Sequence, residues 1–432
     1  MSKNNENKLV PRLRFPEFAM EGEWEILPLS KLSYEITEKT KGRKFKLMSI
    51  TSGVGLVSQI EKFGKEIAGN SYDNYYVLKK GDFAYNKSST KLYPEGEVAM
   101  LEKEENGAVP NSIFTCFSFD KNKIYPIFAK YPFINNIHGR WLKKFIAVGA
   151  RANGALQVNS KDLFSIPFPY PSFKEQQKIA ACLSSLDDVI TAESKKLEVL
   201  KEHKKGLLQN LFPQEGETVP KLRFKEFEDS GEWVQTYLEE NCQVKGRIGF
   251  RGYTTEDLVG QGEGALVLGG KHIQNQMLEL KNPTYLSWEK YYESPEIMVE
   301  VGNIIFSQRG TLGDCAIIDK EIGPATINPS MVLLKNINCN AKFLFFILIS
   351  DRIQNEVQKY RAMGAIPMLS QKQIKEFSFL IPKNPEEQQK IADTLSSLDN
   401  LINSQSQKIE TLKLHKKGLL QGLFPDINEH NG

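Results

Sequence analysis

The side chains best suited to a chemical task lie in two polar loops at corresponding places of this sequence. The segments are LKKGDFAYNKSSTK (residues 78–91) and VEVGNIIFSQRGTLG (residues 299–313). Each predicts a turn at Gly81 or Gly302, then a strand, then a loop dense in Asn, Ser, Thr, Lys, Gln or Arg. Such side chains form hydrogen bonds with base edges and with phosphate oxygens of nucleic acids. A merely solvated polar surface is the alternative that these loops leave open.

Basic residues interleaved with aromatic residues lie near the first loop, in EKTKGRKFK (residues 38–46) and HGRWLKKF (residues 138–145). In the second half the basic residues are scattered, at Lys245, Arg247, Arg251, Lys271 and Arg361. The formal net charge of the chain is only +3. A nucleic-acid interface at that charge requires that the basic residues cluster on part of the surface.

Catalytic motifs are missing from the sequence. It contains five histidines and no H-E-x-x-H, no G-x-S-x-G and no kinase motif set. The segment GEGALVLGGKH (residues 262–272) lacks the Lys-Ser/Thr pair of a phosphate-binding loop. The N-P-P-[FY] tetrapeptide with which amino-methyltransferases hold a flipped adenine is absent as well. The sequence therefore predicts a binding protein with no catalytic, metal or cofactor site of its own.

The length and composition of the sequence limit the classes of protein to be considered. With 432 residues, 40% hydrophobic and 25% charged, the chain predicts a globular protein of two to three domains. Its five cysteines form no C-x-x-C pair, which favours a reducing cytoplasm. The most apolar run, FLFFILI (residues 343–349), is much shorter than the about 20 residues that cross a bilayer, so we expect a buried helix there.

Two long segments are nearly identical copies. EQQKIAACLSSLDDVITAESKKLEVLKEHKKGLLQNLFP (residues 175–213) aligns without a gap with EQQKIADTLSSLDNLINSQSQKIETLKLHKKGLLQGLFP (residues 387–425). A shorter motif, here called the lead motif, is also repeated as VPRLRFPEFAMEGEW (residues 10–24) and VPKLRFKEFEDSGEW (residues 219–233). The bodies between these copies differ. A retained frame with two unlike bodies is expected if the frame has one task and the bodies recognise different things.

Each long copy predicts a helix of about 38 residues, about 57 Å long. The apolar residues of the first copy recur at spacings typical of a coiled-coil seam: Ile179, Leu183, Leu186, Ile190, Leu197, Leu200, Leu207 and Leu211. One such helix is not stable alone, and the other copy is its natural partner. Antiparallel pairing is favoured because it lets a pseudo-two-fold axis relate the halves. A plain dimerisation hairpin is the alternative.

Residues expected on the outside of these helices are repeated together with the seam, which a packing role alone does not require. Repeated outward faces predict that the same partner docks twice. The candidate docking residues are Gln176, Lys178, Ser184, Ser185, His203 and Lys204 in the first copy and Gln388, Lys390, Ser396, Ser397, His415 and Lys416 in the second.

The predicted fold class is α+β, with two globular domains joined by two long helices that pair as an antiparallel coiled coil. The bodies contain short β-rich stretches followed by helical stretches near residues 126–145 and 342–360. The predicted segments are an N-terminal segment (1–24), domain 1 (25–171), helical spacer 1 (172–213), a linker with the repeated lead motif (214–233), domain 2 (234–383), helical spacer 2 (384–425) and a tail (426–432).

The twice-written EQQKIA…LSSLD…HKKGLLQ.LFP and VP.LRF.EF…GEW resemble the specificity subunit of type I restriction–modification systems. The resemblance covers nearly the whole chain. It implies that the two bodies are target-recognition domains, each reading one half of a split, asymmetric DNA site. It also implies that the paired helices act as a spacer and bind two modification (methyltransferase) subunits, with restriction subunits joining through that complex. S-adenosylmethionine, ATP and Mg belong to those partners, and the setting is defence against foreign DNA in a bacterial cytoplasm.

In the family, the loop after the glycine turn and the segment before the long helix lie near DNA. Carried onto this sequence, the resemblance implies that the DNA-binding residues are Lys87, Ser88, Lys91 and Arg151 in the first body and Lys271, Gln308, Arg309, Thr311 and Arg361 in the second. The first turn is Gly81–Asp82, whereas the second is Gly302–Asn303, which puts the role of the acidic side chain in doubt.

Two other classes of protein are alternatives to this one. A fused restriction–modification enzyme would need a methyl-donor pocket and a nuclease centre, and neither motif set is visible. A coiled-coil scaffold between two protein-binding domains would explain the helices but not the two polar loops at matching places.

Overall fold

The computed structural model describes residues 9–425 except 68–70, 147–155 and 362–366. The chain divides into two compact units. Unit 1 comprises residues 1–193 and 408–432, and unit 2 comprises residues 194–407. Within the described ranges, no helix combines the length and apolarity needed to cross a membrane.

The elements described in the first half of the chain are, in order, β1 (Glu25–Pro28), β2 (Ser33–Glu35), β3 (Met48–Thr51), β4 (Gly55–Ser58), α1 (Gln59–Phe63), β5 (Tyr76–Lys79), β6 (Phe83–Asn86), β7 (Glu97–Met100), β8 (Asn106–Val109), β9 (Phe114–Phe119), α2 (Pro126–Ile134), α3 (Ile137–Leu142), α4 (Ser160–Phe164), β10 (Pro167–Tyr170) and α5 (Phe173–Asn210). Those of the second half are β11 (Val234–Tyr237), α6 (Leu238–Asn241), β12 (Gln243–Gly246), β13 (Leu258–Val259), β14 (Gly264–Leu268), β15 (Ile273–Gln274), β16 (Met277–Leu278), β17 (Tyr285–Ser287), α7 (Trp288–Tyr292), β18 (Ile304–Ser307), β19 (Cys315–Ile317), β20 (Ala325–Ile327), β21 (Met331–Lys335), α8 (Ala341–Leu348), α9 (Asp351–Arg361), α10 (Gln371–Lys375), β22 (Ser378–Ile381) and α11 (Pro385–Leu423).

Each unit contains a four-stranded antiparallel sheet of the same topology, in the order β2-β9-β6-β7 in unit 1 and β12-β21-β18-β19 in unit 2. The register agrees as well, since Asn86 lies opposite Phe114 and Ser307 lies opposite Met331. Little of this similarity is visible in the letters of the two bodies. The sheets are therefore two versions of one framework.

The turn before β6 and β18 is built in the same way despite the exchange of Asp for Asn. The side chain of Asp82 accepts a hydrogen bond from the backbone N–H of Lys79 at 2.7 Å. The side chain of Asn303 accepts one from the N–H of Glu300 at 3.1 Å. Because an amide oxygen accepts this bond as a carboxylate does, the turn needs an acceptor and not a charge. The exchange of Asp for Asn therefore leaves the turn intact.

The two ends of each body pair with each other. In unit 1, β1 and β10 form a two-stranded antiparallel sheet in which Glu25 lies opposite Tyr170. In unit 2, β11 and β22 pair in the same manner, with Val234 opposite Ile381. Each body thus leaves the frame and returns to it at adjacent points.

The sheet of each unit has a buried cluster on both faces, and successive side chains of its strands point into opposite clusters. In unit 1, Phe83 and Tyr85 of β6 point into a cluster with helix α2, whereas Ala84 points into a second cluster with Met48. In unit 2, α8 packs into the corresponding cluster, with residues 343–348 all buried. The prediction of a buried helix at the most apolar run is confirmed.

The two long helices run antiparallel within each unit. In unit 1, Lys416 of α11 forms an ion pair with Asp187 of α5 at 2.5 Å, and Lys408 forms one with Glu193 at 2.5 Å. Residue numbers therefore fall along α11 as they rise along α5. In unit 2, Lys204 of α5 forms the matching ion pair with Asp399 of α11 at 2.7 Å, as the duplication requires. The predicted α+β fold with an antiparallel helix pair is confirmed.

The lead motif joins the start of one long helix to the end of the other within each unit. In unit 1, the guanidinium of Arg14 forms two hydrogen bonds, of 2.9 and 2.7 Å, with the carboxylate of Glu175 in the first turn of α5. The backbone N–H of Leu13 donates to the carbonyl of Gly422 in α11 at 2.8 Å. Phe424 lies edge-on to Trp24, with ring centroids 5.9 Å apart.

Unit 2 repeats every one of these contacts. Arg223 binds Glu387 through two hydrogen bonds of 2.8 Å, and the N–H of Leu222 donates to the carbonyl of Asn210 at 2.8 Å. The ring of Phe212 lies edge-on to Trp233 at 6.2 Å. The near-identity of the lead motifs and helix ends thus reflects a shared set of contacts. These contacts, between the lead motif, the start of one long helix and the end of the other, are here called the joint.

Candidate nucleic-acid interface

The first predicted loop leaves the sheet of unit 1 at Lys87, directly after β6. The backbone N–H of Lys87 donates to the carbonyl of Ile113 at 2.9 Å, and its own carbonyl accepts from the N–H of Leu156 at 2.7 Å. The N–H of the next residue, Ser88, donates to Asn86 Oδ1 at 3.1 Å. The backbone at Lys87 is therefore held on both sides. Among the described residues, none forms a hydrogen bond or an ion pair with its half-buried side chain.

The second predicted loop leaves the sheet of unit 2 in the same way, at Gln308. The N–H of Gln308 donates to the carbonyl of Ser330 at 2.9 Å, and its carbonyl accepts from the N–H of Leu369 at 3.0 Å. The side-chain Nε2 of Gln308 donates to the carbonyl of Pro329 at 2.9 Å. Lys87 and Gln308 therefore occupy equivalent positions of the two frameworks.

A neighbouring connection lies against each loop. In unit 1 this is the short turn between β3 and β4, where Ser52 Oγ lies 3.3 Å from Thr90 Oγ1. In unit 2 the corresponding connection, between β14 and β17, is much longer (residues 269–284). It lies close to the second loop, since a Cβ placed on Gly270 would be 3.1 Å from Thr311 Oγ1. The ammonium of Lys271 in this connection donates to Thr284 Oγ1 at 2.8 Å.

Two arginines complete the surface of unit 2. Nε of Arg309 lies 2.8 Å from the sulfur of Met368. The backbones of the same two residues form an isolated antiparallel β-bridge. Arg361, at the end of α9, donates to the carbonyl of Leu312. The predicted residues Lys271, Gln308, Arg309 and Thr311 therefore lie on two neighbouring loops, and Arg361 contacts the second of them from the end of α9.

The predicted residues of unit 1 are brought together less completely. Lys87 and Ser88 are half-buried at the base of the loop, and Lys91 is exposed further along it. Arg151 lies outside the described residues. Whether any of these residues touches DNA stays a prediction.

A buried arginine supports the surface of unit 2. Arg247 is only 9% exposed, and its Nη2 donates to Thr326 Oγ1 at 3.0 Å and to the carbonyl of Ile327 at 3.3 Å. No carboxylate among the described residues forms an ion pair with it, and desolvation lowers the pKa of this arginine. Ile327 precedes the turn at Asn328, whose Oδ1 accepts from the N–H of Ser330 at 3.1 Å. Arg247 thus fixes the turn to which Gln308 is bonded.

In the sequence, Arg247 is one of several scattered basic residues, and nothing there marks it as a support for the second loop. Asn328 could have been noticed from its place in a turn signal, Asn-Pro-Ser, just before the strand that pairs with β18. The burial of Arg247 has no signature in the letters around it.

His138 is fully buried beneath the first loop, with Nε2 2.9 Å from the carbonyl of Gly96. Its Nδ1 has no partner among the described residues. The ring lies against Tyr93 at 6.2 Å and Phe133 at 5.9 Å. Burial lowers the pKa of His138 to about 4. This residue is a structural support and not a surface base reader.

The depressed pKa of His138 predicts an acid-sensitive unit 1. Its contribution to stability is complete above the unfolded pKa of about 6.5 and is lost as the pH falls towards about 4, because protons then favour the unfolded chain. We expect a loss of about 2 kcal/mol by about pH 5, measured by urea unfolding at several pH values. His138→Phe should flatten that part of the profile, whereas substitution of the exposed His203 by Gln should leave it unchanged. An unaltered profile in His138→Phe would contradict the assignment.

Two of the predicted docking residues are not on the surface. Gln176 is 0% exposed, accepts a hydrogen bond from the N–H of Tyr125 at 2.8 Å and donates to the carbonyl of Pro171 at 2.9 Å. Gln388 is 6% exposed and accepts from the N–H of Asn340 at 3.1 Å. Their prediction as outward residues is wrong. Each fastens its body to the start of the adjoining helix, and that task explains why both copies retain it.

Lys204 and Lys416 also face inward, towards the ion pairs with Asp399 and Asp187 described above. Their side chains are 13% and 19% exposed. Their expected outward orientation is therefore wrong, since they hold the helix pair together.

The other candidates remain accessible to differing degrees. Ser185, Ser397, His203 and His415 are exposed, Ser184 and Ser396 are half-buried, and Lys178 and Lys390 are exposed but paired with Glu17 and Glu226 of the lead motifs. One feature was missed: Val189 and Leu401, at matching positions, are 44% and 57% exposed. Each lies one helical turn after the exposed serine, so each helix presents the same small polar and apolar patch.

No group of three or more His, Cys, Asp or Glu side chains in the described part of the chain is placed to hold a metal ion. The matched loops offer hydrogen-bond donors and acceptors on two related frameworks. These features define the class: an internally duplicated recognition protein.

The family follows from comparison with known proteins. The model of the type I restriction modification DNA specificity domain matches residues 30–202 and 275–414, more than half of the chain. The chain therefore belongs to the family of type I restriction–modification specificity subunits, which are recognition subunits without catalytic activity of their own. The resemblance seen in the repeated motifs is confirmed.

Two relatives come from Methanocaldococcus jannaschii. The putative type I restriction enzyme MjaX specificity subunit is 26% identical over 357 residues, which is 81% of this chain and 79% of that protein. The type I restriction enzyme MjaVIII specificity subunit is 24% identical over 291 residues, 65% of this chain and 67% of the relative.

Two solved structures share the fold. The S subunit of a type I restriction–modification system from M. genitalium has a TM-score of 0.58 and 16% identity, over 97% of this chain and 100% of that one. A chain from a study of complex assembly and conformational transition of the type I R-M system has a TM-score of 0.54 and 16% identity, over 93% of this chain and 97% of that one. At these identities the likeness establishes the fold alone.

Proposed function

We propose that unit 1 and unit 2 each read one half of a bipartite, asymmetric DNA site. The observation that carries the proposal is the equivalence of Lys87 and Gln308, two different side chains presented from one framework by the same pair of backbone hydrogen bonds. A framework of the same geometry with different reading residues recognises different sequences at its two copies. Because the two half-sites then differ, the whole site is asymmetric.

The long helices set the spacing between the half-sites in this proposal. The boundary between the two units falls within both α5 and α11, so each helix runs without interruption from one unit into the next. The ion pairs at both ends of the pairing resist sliding of one helix along the other.

Two modification subunits dock on the repeated helix patches, one at Ser185 and Val189 and one at Ser397 and Leu401. An exposed apolar side chain at the same position of both copies supports this, since neither is needed for packing. The exposed His203 and His415 offer hydrogen bonds near the far ends of the helices. The modification subunits would supply S-adenosylmethionine, and restriction subunits that join them would supply the ATP- and Mg-dependent steps.

Methyl transfer to DNA tests the proposal that this chain recognises DNA and that the modification subunits methylate it. The purified chain alone is expected to transfer no methyl groups from labelled S-adenosylmethionine to duplex DNA, because the family lacks a catalytic centre. Addition of the modification subunit encoded with it should produce transfer, and the modification subunit alone should not modify specific sites. Val189→Lys with Leu401→Lys should abolish the stimulation, whereas Val199→Lys, at an exposed position that the second copy does not repeat, should not. Transfer by the chain alone would contradict the proposal.

A further inference from the structure

The residue that directly follows strand β6 or β18 occupies the same position in both frameworks but differs in type. Asn86 and Ser307 end the equivalent strands β6 and β18, and Lys87 and Gln308 are the next residues. In both, the backbone N–H is bound to the turn before the neighbouring strand, and the carbonyl is bound to the segment before the next helix. Because the backbone N–H and carbonyl of this residue are both hydrogen-bonded within the protein, its side chain is the group best placed to contact a ligand.

We propose that Lys87 and Gln308 are a specificity-determining pair, in which Lys87 reads a guanine in one half-site and Gln308 reads an adenine in the other. This inference rests on the proposed function of the two units. Lysine donates to the O6 and N7 acceptors of guanine, whereas glutamine forms a two-bond contact with N6 and N7 of adenine. The framework is shared, so the exchange of this side chain changes the base that is preferred.

The hydrogen bonding of Gln308 fits an adenine contact. One hydrogen of Nε2 is bound to the carbonyl of Pro329, which leaves the second hydrogen and Oε1 without a partner among the described residues. Those two groups are the donor and acceptor that adenine requires. The bond to Pro329 therefore orients the amide before DNA arrives, and binding does not need to break it.

The side chain of Lys87 is also available to contact a base. Its ammonium has three donors and forms no hydrogen bond or ion pair with another described residue. It is half-buried at the base of the loop, whereas Lys91 in the same loop is exposed and its backbone is not bound in this way. A held, half-buried position favours reading of a base, and a free, exposed lysine favours contact with phosphate. Lys91 is therefore the matched control.

The test is the base preference of the full chain in complex with its modification subunit. The wild type and the variants Lys87→Gln, Lys87→Arg, Gln308→Lys and Lys91→Gln would each select binding sites from a pool of random duplexes, and the selected sites would be sequenced. We expect Lys87→Gln to reduce the preference for guanine at one position of the first half-site by about 5- to 150-fold. Lys87→Arg should retain it, because arginine also reads guanine.

Gln308→Lys should change one position of the second half-site from adenine towards guanine and leave the first half-site intact. Lys91→Gln should weaken binding to all sequences alike and lower its dependence on salt. Thermal unfolding of each variant checks that the fold is retained, and the reciprocal variant decides if one of them fails to fold. Unchanged base preferences in Lys87→Gln and Gln308→Lys would overturn the inference while the proposed function stands. A wild-type complex without any bipartite preference would overturn the proposed function itself.

Discussion

Replacement of residues 25–171 by the corresponding body of another family member is expected to change one half of the DNA site and leave the other half intact. The physical reason is the pairing of β1 with β10, which brings both ends of the body together at the frame. An exchanged body can enter and leave at the same two points. Each base pair that no longer matches should cost about 1–3 kcal/mol of binding free energy, so recognition of the original half-site should be lost.

The matched control is the exchange of residues 234–383, whose ends are joined by β11 and β22. It should change only the other half-site. The measurement is the sequence preference of each chimaera in complex with the modification subunit. A change in both halves from either exchange would show that the bodies do not read DNA independently.

The second large effect concerns the buried ion pairs at the joints. Arg14→Met is expected to destabilise unit 1 by about 3–5 kcal/mol, because it leaves the carboxylate of Glu175 buried without its partner. The side chains of Arg14 and Glu175 are 8% and 1% exposed. Arg223→Met should have the same effect on unit 2, where the side chains of Arg223 and Glu387 are 7% and 1% exposed.

Hydrogen exchange measured by mass spectrometry resolves the two units and should show the loss of protection in the unit that carries the substitution. Lys178→Met is the control. It removes an exposed ion pair with Glu17, whose side chains are 50% and 46% exposed, and should cost less than about 1 kcal/mol. The double variant Arg14→Met with Glu175→Leu should recover much of the loss. An Arg14→Met protein as stable as the wild type would refute the assigned role of the joint.

The parts of the fold that follow a regular period could be predicted from the sequence. The seam that begins at Ile179 specifies a long helix, and the continuous apolar runs FAY (residues 83–85) and IIF (residues 304–306) are typical of strands buried on both faces. The duplication made antiparallel pairing the natural expectation. The common topology of the two sheets was not visible, because a backbone framework tolerates many side chains that share only burial and size.

The repeated glutamines and lysines show why the site was harder to predict than the fold. Repetition shows that a residue is needed but not which surface it faces. Gln176 and Lys204 are repeated because they hold the body and the helices, and both are buried or turned inward. Conversely, Arg247 supports a predicted loop through carbonyl groups that are distant in sequence, so no local pattern could identify it.

Whether each unit reads one half of a divided DNA site can be tested with a base-resolution map of methylated positions in the DNA of cells that produce this chain with its modification subunits. We expect methylation within one asymmetric motif made of two unlike half-sites, separated by a fixed number of unspecified base pairs. The motif should disappear when this chain is removed and the modification subunits are retained. A contiguous or palindromic motif, or a motif that persists without the chain, would contradict the claim that its two units each read half of a divided site.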